Sequence, residues 1–264
     1  MKKKIRIILQ GAFAIGSLIC LDHHALAVDI GDPLYRGQLN DSPVRVEAIY
    51  DNFKRDYKMD GTVSVGTHDL GSISGTDSTD ITIYMLRAHL LPSKTLDVYV
   101  DGGVIDKKSD YTSQPFIVGG GAKILVTEKE GFSLSALGMA HYVTSYDVKS
   151  NGYDQDLGNY SSAVSANWWE AGVGALAAYD YSLDPKTHVI PYAGALVSLW
   201  RGNADVDMTY NRYSGAVSGS ATLQEDGPLS AILGCSLLMQ TWTIRVEGRF
   251  IAEKSVSFGV GKAF

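Results

Sequence analysis

The chain closes on WTIRVEGRFIAEKSVSFGVGKAF, residues Trp242 to Phe264. In steps of two, Trp242, Ile244, Val246, Gly248, Phe250 and Ala252 share one face, while Thr243, Arg245, Glu247, Arg249 and Glu253 share the other. Side chains alternate between the two faces of a strand, so this strand is apolar on one side and carries both signs of charge on the other. A short polar tip, Glu253-Lys254-Ser255, is expected to reverse the chain. Val256, Phe258, Val260 and Phe264 then repeat the apolar face, opposite the small residues Ser257, Gly259, Gly261 and Ala263.

Upstream, the same period of two holds almost everywhere from Val44 onward. The runs fall at about 44–58, 79–91, 95–107, 115–128, 131–148, 164–182, 187–203, 228–240, 242–253 and 255–264. Short connections (Leu91–Thr95, Glu128–Gly131, Ser182–Thr187, Met239–Thr241) alternate with long ones (about 59–78, 108–114, 149–163 and 204–227), and the 253–255 tip makes the fifth on that second side. Turns on one side and loops on the other are the pattern of a transmembrane barrel. An even number of crossings returns both ends of the chain to the same side. The expected fold is therefore all-β, a closed antiparallel transmembrane β-barrel of about ten strands, within a range of eight to twelve.

The closing hairpin also resembles that of bacterial outer-membrane β-barrel proteins, on the residues Val256, Phe258, Val260 and the terminal Phe264. Lys262 departs from that pattern, which usually has an apolar or aromatic residue two before the end. The resemblance implies a bacterial outer-membrane location, with Phe264 as the assembly signal. It also implies two partners, the outer-membrane lipids and the barrel assembly machinery.

The amino terminus reads as a secretion signal over 1–27. Lys2, Lys3, Lys4 and Arg6 precede the apolar run Ile7–Cys20, and Ala25-Leu26-Ala27 is a small-x-small cleavage site. The rival is a lipoprotein acylated on Cys20, but the bulky Ile19 stands where that site wants a small residue. Cleavage after Ala27 removes four basic residues and one acid from 23 and 29, leaving 19 and 28 and a net charge near −9. That balance argues against nucleic acid as a partner. Cys235 is then the one remaining cysteine, on an apolar face with Leu233, Leu237 and Met239, and reads as a small hydrophobe rather than a reactive thiol. Residues 28–43, rich in Gly, Pro, Asp and Asn without a period, read as a periplasmic lead-in, and 44–264 as the barrel.

Aromatic spacing supplies a length. Phe132 and Tyr142 share a face ten residues apart, as do Trp169 and Tyr179, and Tyr192 and Trp200 are eight apart. Ten residues at about 3.3 Å each, tilted about 40°, rise roughly 25 Å, the height of the apolar band between the aromatic girdles of such barrels. Phe132, Tyr142, Trp169, Tyr179, Tyr192, Trp200 and Trp242 are the expected membrane girdle. Between them the face stays apolar or small, as in Leu134, Ala136, Gly138 and Ala140, or Ala171, Val173, Ala175 and Ala177. A secreted soluble barrel would also alternate, but its outer face would carry solvated polar side chains.

By parity the inward face holds Arg45, Glu47, Asp51, Arg87, Asp97, Asp101, Lys123, Glu170, Arg245, Glu247 and Arg249, with Tyr99 and Asp180 alongside. This set reads either as the lining of an aqueous passage or as a packed core of ion pairs. Ten strands enclose little more than the eight that side chains can fill, which favours packing. His89 and His141 lie within strands and read as lumen or interface residues. His68-Asp69, with Asp60, Asp77 and Asp80, is the best enzyme candidate, yet a neighbouring pair in a Gly/Ser/Thr segment is usually only solvated. Gly119-Gly120-Gly121 sits inside a strand rather than before a helix, so it marks a closely approached section of sheet, not a phosphate loop.

The expected protein is a non-enzymatic monomer without metal or cofactor, serving as an envelope-structural barrel or a small porin-like channel. Surface recognition through outer loops, especially 204–227 with Tyr210, Asn211, Arg212 and Tyr213, is the alternative. An outer-membrane hydrolase is third.

Overall fold

The computed structural model describes residues 43–65, 68–106, 114–154, 158–211, 213–251 and 253–264, so the expected signal segment and the expected lead-in before Pro43 lie outside the described residues. The strands are β1 (Val44–Val65), β2 (His68–Ser93), β3 (Leu96–Ile105), β4 (Phe116–Lys129), β5 (Phe132–Asp154) and β6 (Gly158–Tyr179). They continue with β7 (Tyr181–Asp184), β8 (Thr187–Tyr210), β9 (Tyr213–Glu225), β10 (Leu229–Met239), β11 (Trp242–Ile251) and β12 (Glu253–Ala263). Every pairing is antiparallel.

Ten of these strands close a ring. Its order is β1-β2-β3-β4-β5-β6-β8-β10-β11-β12, closed by β12 against β1 and by β10 against β8. The short β7 prolongs β6 alongside β8. Closure leaves no open edge in the ring, which a sheet in lipid requires because nothing there can satisfy a bare backbone group.

Two-residue connections lie at one end of the ring, at 94–95, 130–131, 185–186 and 240–241. Glu130 and Gly131 both take positive φ, 52° and 83°, as the type I′ hairpin turn demands to match strand twist. At the other end the segments expected to be loops are strands. The spans 59–78, 149–163 and 204–227 largely continue β1, β2, β5, β6 and β8 and form β9. Their period of two was hidden because one face is Ser, Thr, Asp and Gly, and only sparse residues such as Met59, Val63, Val206 and Met208 mark the other.

β9 explains how the extension stays one continuous sheet. β8 pairs β10 over Thr187–Val197 and then β9 over Arg201–Tyr210; β1 pairs β12 over Arg45–Arg55 and then β9 over Tyr57–Val65. Above the ring, the one strand β9 thus takes the place of three, and the sheet narrows to the order β2-β1-β9-β8-β6-β5.

The two sections have opposite polarity. Around the ring the outer face is apolar, with Val173 65 %, Val100 64 % and Leu86 64 % exposed. In the extension the outer face of β8 becomes Arg201, Asn203, Asp205, Asp207 and Thr209, all exposed, while Ala204, Val206, Met208 and Tyr210 point inward and are buried. The ring is built for lipid around it, and the extension for water around it.

The reversal before β12 also comes earlier than the sequence pattern indicated. The chain turns between Ile251, at φ 93°, and Glu253, so Glu253 opens β12 as a buried residue rather than sitting at a polar tip.

Candidate functional site

The ring interior gathers most of the ionisable side chains that the strand pattern had turned inward. Arg45, Glu47, Asp51, Arg87, Asp97, Asp101, Lys123, Glu170, Arg245, Glu247 and Arg249 are all buried there, none more than 9 % exposed. Arg55, His89, His141 and Glu253 join them. Among the described residues of this set, six Lys/Arg face seven carboxylates, so the charge is close to balanced.

The contacts form linked groups rather than isolated pairs. Arg245 donates to Glu47 at 2.6 Å and lies 3.6 Å from Glu247. Glu247 accepts from Arg249 at 3.1 Å and from the Tyr192 hydroxyl at 2.9 Å. Arg249 also reaches Glu253 at 2.8 Å and Asp51 at 3.6 Å. On the next strands Arg87 donates to Asp101 at 2.7 Å and its guanidinium lies 4.3 Å from the Tyr99 ring centre. His141 lies 3.0 Å from Asp101, and His89 2.9 Å from Asp97 and 3.4 Å from Glu47. A buried charge without a partner is costly, and this web of partners is what lets so many remain inside.

One contact spans the bore. Arg55 on β1 donates to Glu170 on β6 at 2.9 Å and also to Glu253 on β12. β1 and β6 stand five positions apart in a ten-strand ring, on opposite walls. The remaining wall, from β5, β6, β8 and β10, is apolar: Leu137, Leu176, Ile190, Leu196 and Ile232 pack as one cluster. Directly above the ion pairs, Tyr57, Trp168 and Trp200 stack with ring centres 6.3–6.4 Å apart, and they open a second cluster that fills the extension.

Two girdle assignments are corrected. Phe132, Tyr142, Trp169, Tyr179 and Trp242 are 42–48 % exposed on the outer face, but Tyr192 and Trp200 are 4 % and 1 % exposed inside. Both faces of β8 are apolar over this span, so alternation alone did not tell them apart. Tyr192 is drawn inward by its bond to Glu247 and lies over Gly234, where a Cβ would collide with its ring. Gly119 likewise leaves room for the His141 ring, and Gly121 for the Tyr99 ring. The outer positions of β8 are instead Pro191, Ala193, Ala195, Val197 and Leu199.

Other singled-out residues fall apart. Asp69 accepts from the Gly71 amide at 2.8 Å within its own strand end, and His68 and Asp69 are exposed. Tyr210 is buried against Tyr160 rather than displayed, and Arg212 lies outside the described residues. Asp180 meets His188 at 2.9 Å at the short-turn rim. Phe264 is 65 % exposed, and Lys262 lies 5.4 Å from the ring centres of both Trp242 and Phe264. A cation between two aromatic faces keeps its charge favourably placed at an interface. Arg55 lies within the 44–58 run, on the same face as Asp51, but was not assigned to the interior, and Glu253 was read as part of the polar tip although it shares the face of Arg249.

Glu225, on β9 above the ring, has its carboxyl pushed up to about 7. Burial is the main cause and Glu170 adds to it, against the pull of Arg55 and the 3.2 Å hydrogen bond from Ser198.

No protein-family model matches the sequence, and no curated protein matches it. Among solved structures, the chain is similar to the outer membrane protease OmpT from Escherichia coli, at 6 % identity and TM-score 0.42, over 86 % of this chain and 98 % of that one. It is similar to the translocator domain of the autotransporter NalP from Neisseria meningitidis, at 13 % identity and TM-score 0.41, over 100 % and 98 %. It is also similar to the outer membrane protein OprG from Pseudomonas aeruginosa, at 10 % identity and TM-score 0.35, over 86 % and 98 %. The closed antiparallel ring, its apolar outer band with aromatic borders and its charged interior make this protein a transmembrane β-barrel.

Proposed function

We propose that this protein is a non-conducting outer-membrane barrel, an envelope-structural element that holds a rigid β-sheet extension above the lipid on the cell's outer side. The observation that carries this reading is the Arg55–Glu170 bond across the bore, with Tyr57, Trp168 and Trp200 stacked over it. An ion crossing there would have to part a buried ion pair and then an apolar layer. Purified protein in planar bilayers is expected to give no steady unit conductance; regular openings, with selectivity altered by Glu170→Gln, would overturn it.

A second reading, surface recognition, is favoured by a concavity of about 580 Å³ on the outer face of the extension. Asp60, Thr62, Asn167, Asn203, Asp205, Ser220 and Thr222 line it. Hydroxyls, amides and carboxylates without a cation suit a neutral polyhydroxylated ligand. Replacing Asn203 and Ser220 by Leu should abolish any such binding on a glycan array and leave folding intact.

A further inference from the structure

The outer face of the β12-β1-β2-β3 wall is sorted by height. Tyr84, Tyr50 and Phe258 stand directly opposite one another on adjacent strands, with the two tyrosine rings 5.6 Å apart. One row lower come Gly102, Leu86, Ala48 and Val260. The small Gly102 and Ala48 leave a groove of about 500 Å³ whose lining is almost wholly apolar. A Cβ at Gly102 would meet the Ile117 carbonyl at 3.6 Å, an ordinary van der Waals contact.

Two rows above the aromatic ledge, Lys54 on β1 stands directly opposite Lys254 on β12. Both are exposed, and neither has an ion pair among the described side chains. Like charges at directly opposed positions repel, so an anion shared between them would be stabilising. Asp80 occupies the opposing position on β2, and Asp56 lies two residues along β1. Four residues of tilted strand place the lysines roughly 10 Å above the ledge, at headgroup height over the apolar band.

We propose that this wall binds a phosphate-bearing, multiply acylated lipid of the outer leaflet, with an acyl chain in the Gly102–Ala48 groove and the phosphate between Lys54 and Lys254. An ammonium pair meets phosphate as two point charges, and the groove supplies the apolar contact that a free anion would lack. The inference rests on the reading that the long-strand end faces outward.

The probe is diphosphoryl lipid A added to the full chain folded in detergent micelles, with the heat-unfolding midpoint as readout. A rise of several degrees is expected, lost in the double variant Lys54→Gln/Lys254→Gln and with dephosphorylated lipid A. Gly102→Leu, whose Cβ meets only the Ile117 carbonyl at an ordinary contact distance, should raise the lipid concentration needed by about tenfold. An unchanged rise in the double variant, or the same rise with inorganic phosphate alone, overturns the proposal. Orientation is read separately, by labelling a cysteine placed at Ser64 on intact cells with a membrane-impermeant maleimide. Failure there removes the outward reading while the micelle result still tests the site.

Discussion

Arg55 and Glu170 lie 115 residues apart in sequence and on opposite walls of the ring, yet their side chains meet at 2.9 Å in the middle of the bore. Glu253, from a third strand, closes on the same guanidinium. The barrel is thus tied across its diameter by charge, beneath an apolar layer. Glu170→Ala would leave Arg55 short of a partner in a space with little water. The expected loss is about 3–5 kcal/mol, measurable by urea unfolding of the protein refolded into lipid vesicles. A loss under about 1 kcal/mol would mean the bore is wet enough to screen the survivor.

Glu247→Ala tests the neighbouring group in the same way. It removes the acceptor shared by Arg249, Arg245 and Tyr192. The melting temperature of the heat-modifiable folded band on gels should fall, with no conductance gained. Unchanged stability with a new ion selectivity would instead mark Glu247 as a pore residue.

The two tryptophans of adjacent rows should differ sharply. Trp200 is 1 % exposed in the interior stack and Trp169 is 43 % exposed at the outer border. Trp200→Ala opens a cavity and should cost about 3–5 kcal/mol, whereas Trp169→Ala should cost clearly less. Equal costs would return Trp200 to the girdle.

Lipid contact is tested by depth. Val173 is 65 % exposed near the middle of the apolar band of β6. Val173→Arg should cost about 2–4 kcal/mol, while Tyr179→Arg at the border should cost about 1 kcal/mol or less. Refolding titrations into vesicles measure both.

Glu225 gives a pH dependence outside the ring. Its folded carboxyl titrates near 7, above the unfolded value of 4.5, so the folded protein keeps a proton that the unfolded chain releases. Stability from this group is therefore full at low pH and is lost as pH rises from about 4.5 to 7. The midpoint of unfolding should fall across that window in the parent and be flatter in Glu225→Gln. A parallel slope in both would assign the effect to other groups.

The period of two from Val44 to Phe264 made the barrel, its ring of about ten strands and its charged inner face legible, because lipid outside and ion pairs inside force opposite chemistries onto alternate residues. The same logic failed where the two faces stop differing. On β8 both faces are apolar, and only the Tyr192–Glu247 bond and the Trp168–Trp200 stack show which aromatic residues turn inward. In the extension the outer face meets water, so Asp205 and Asp207 read as loop although their neighbours Val206 and Met208 fill a core. The order of strands lay further out of reach. That β9 bridges β8 to β1 above β10, β11 and β12, and that Arg55 finds Glu170 across the bore, depends on closing the sheet. Closure pairs residues by their position around the ring, a coordinate that alternation along a strand does not carry.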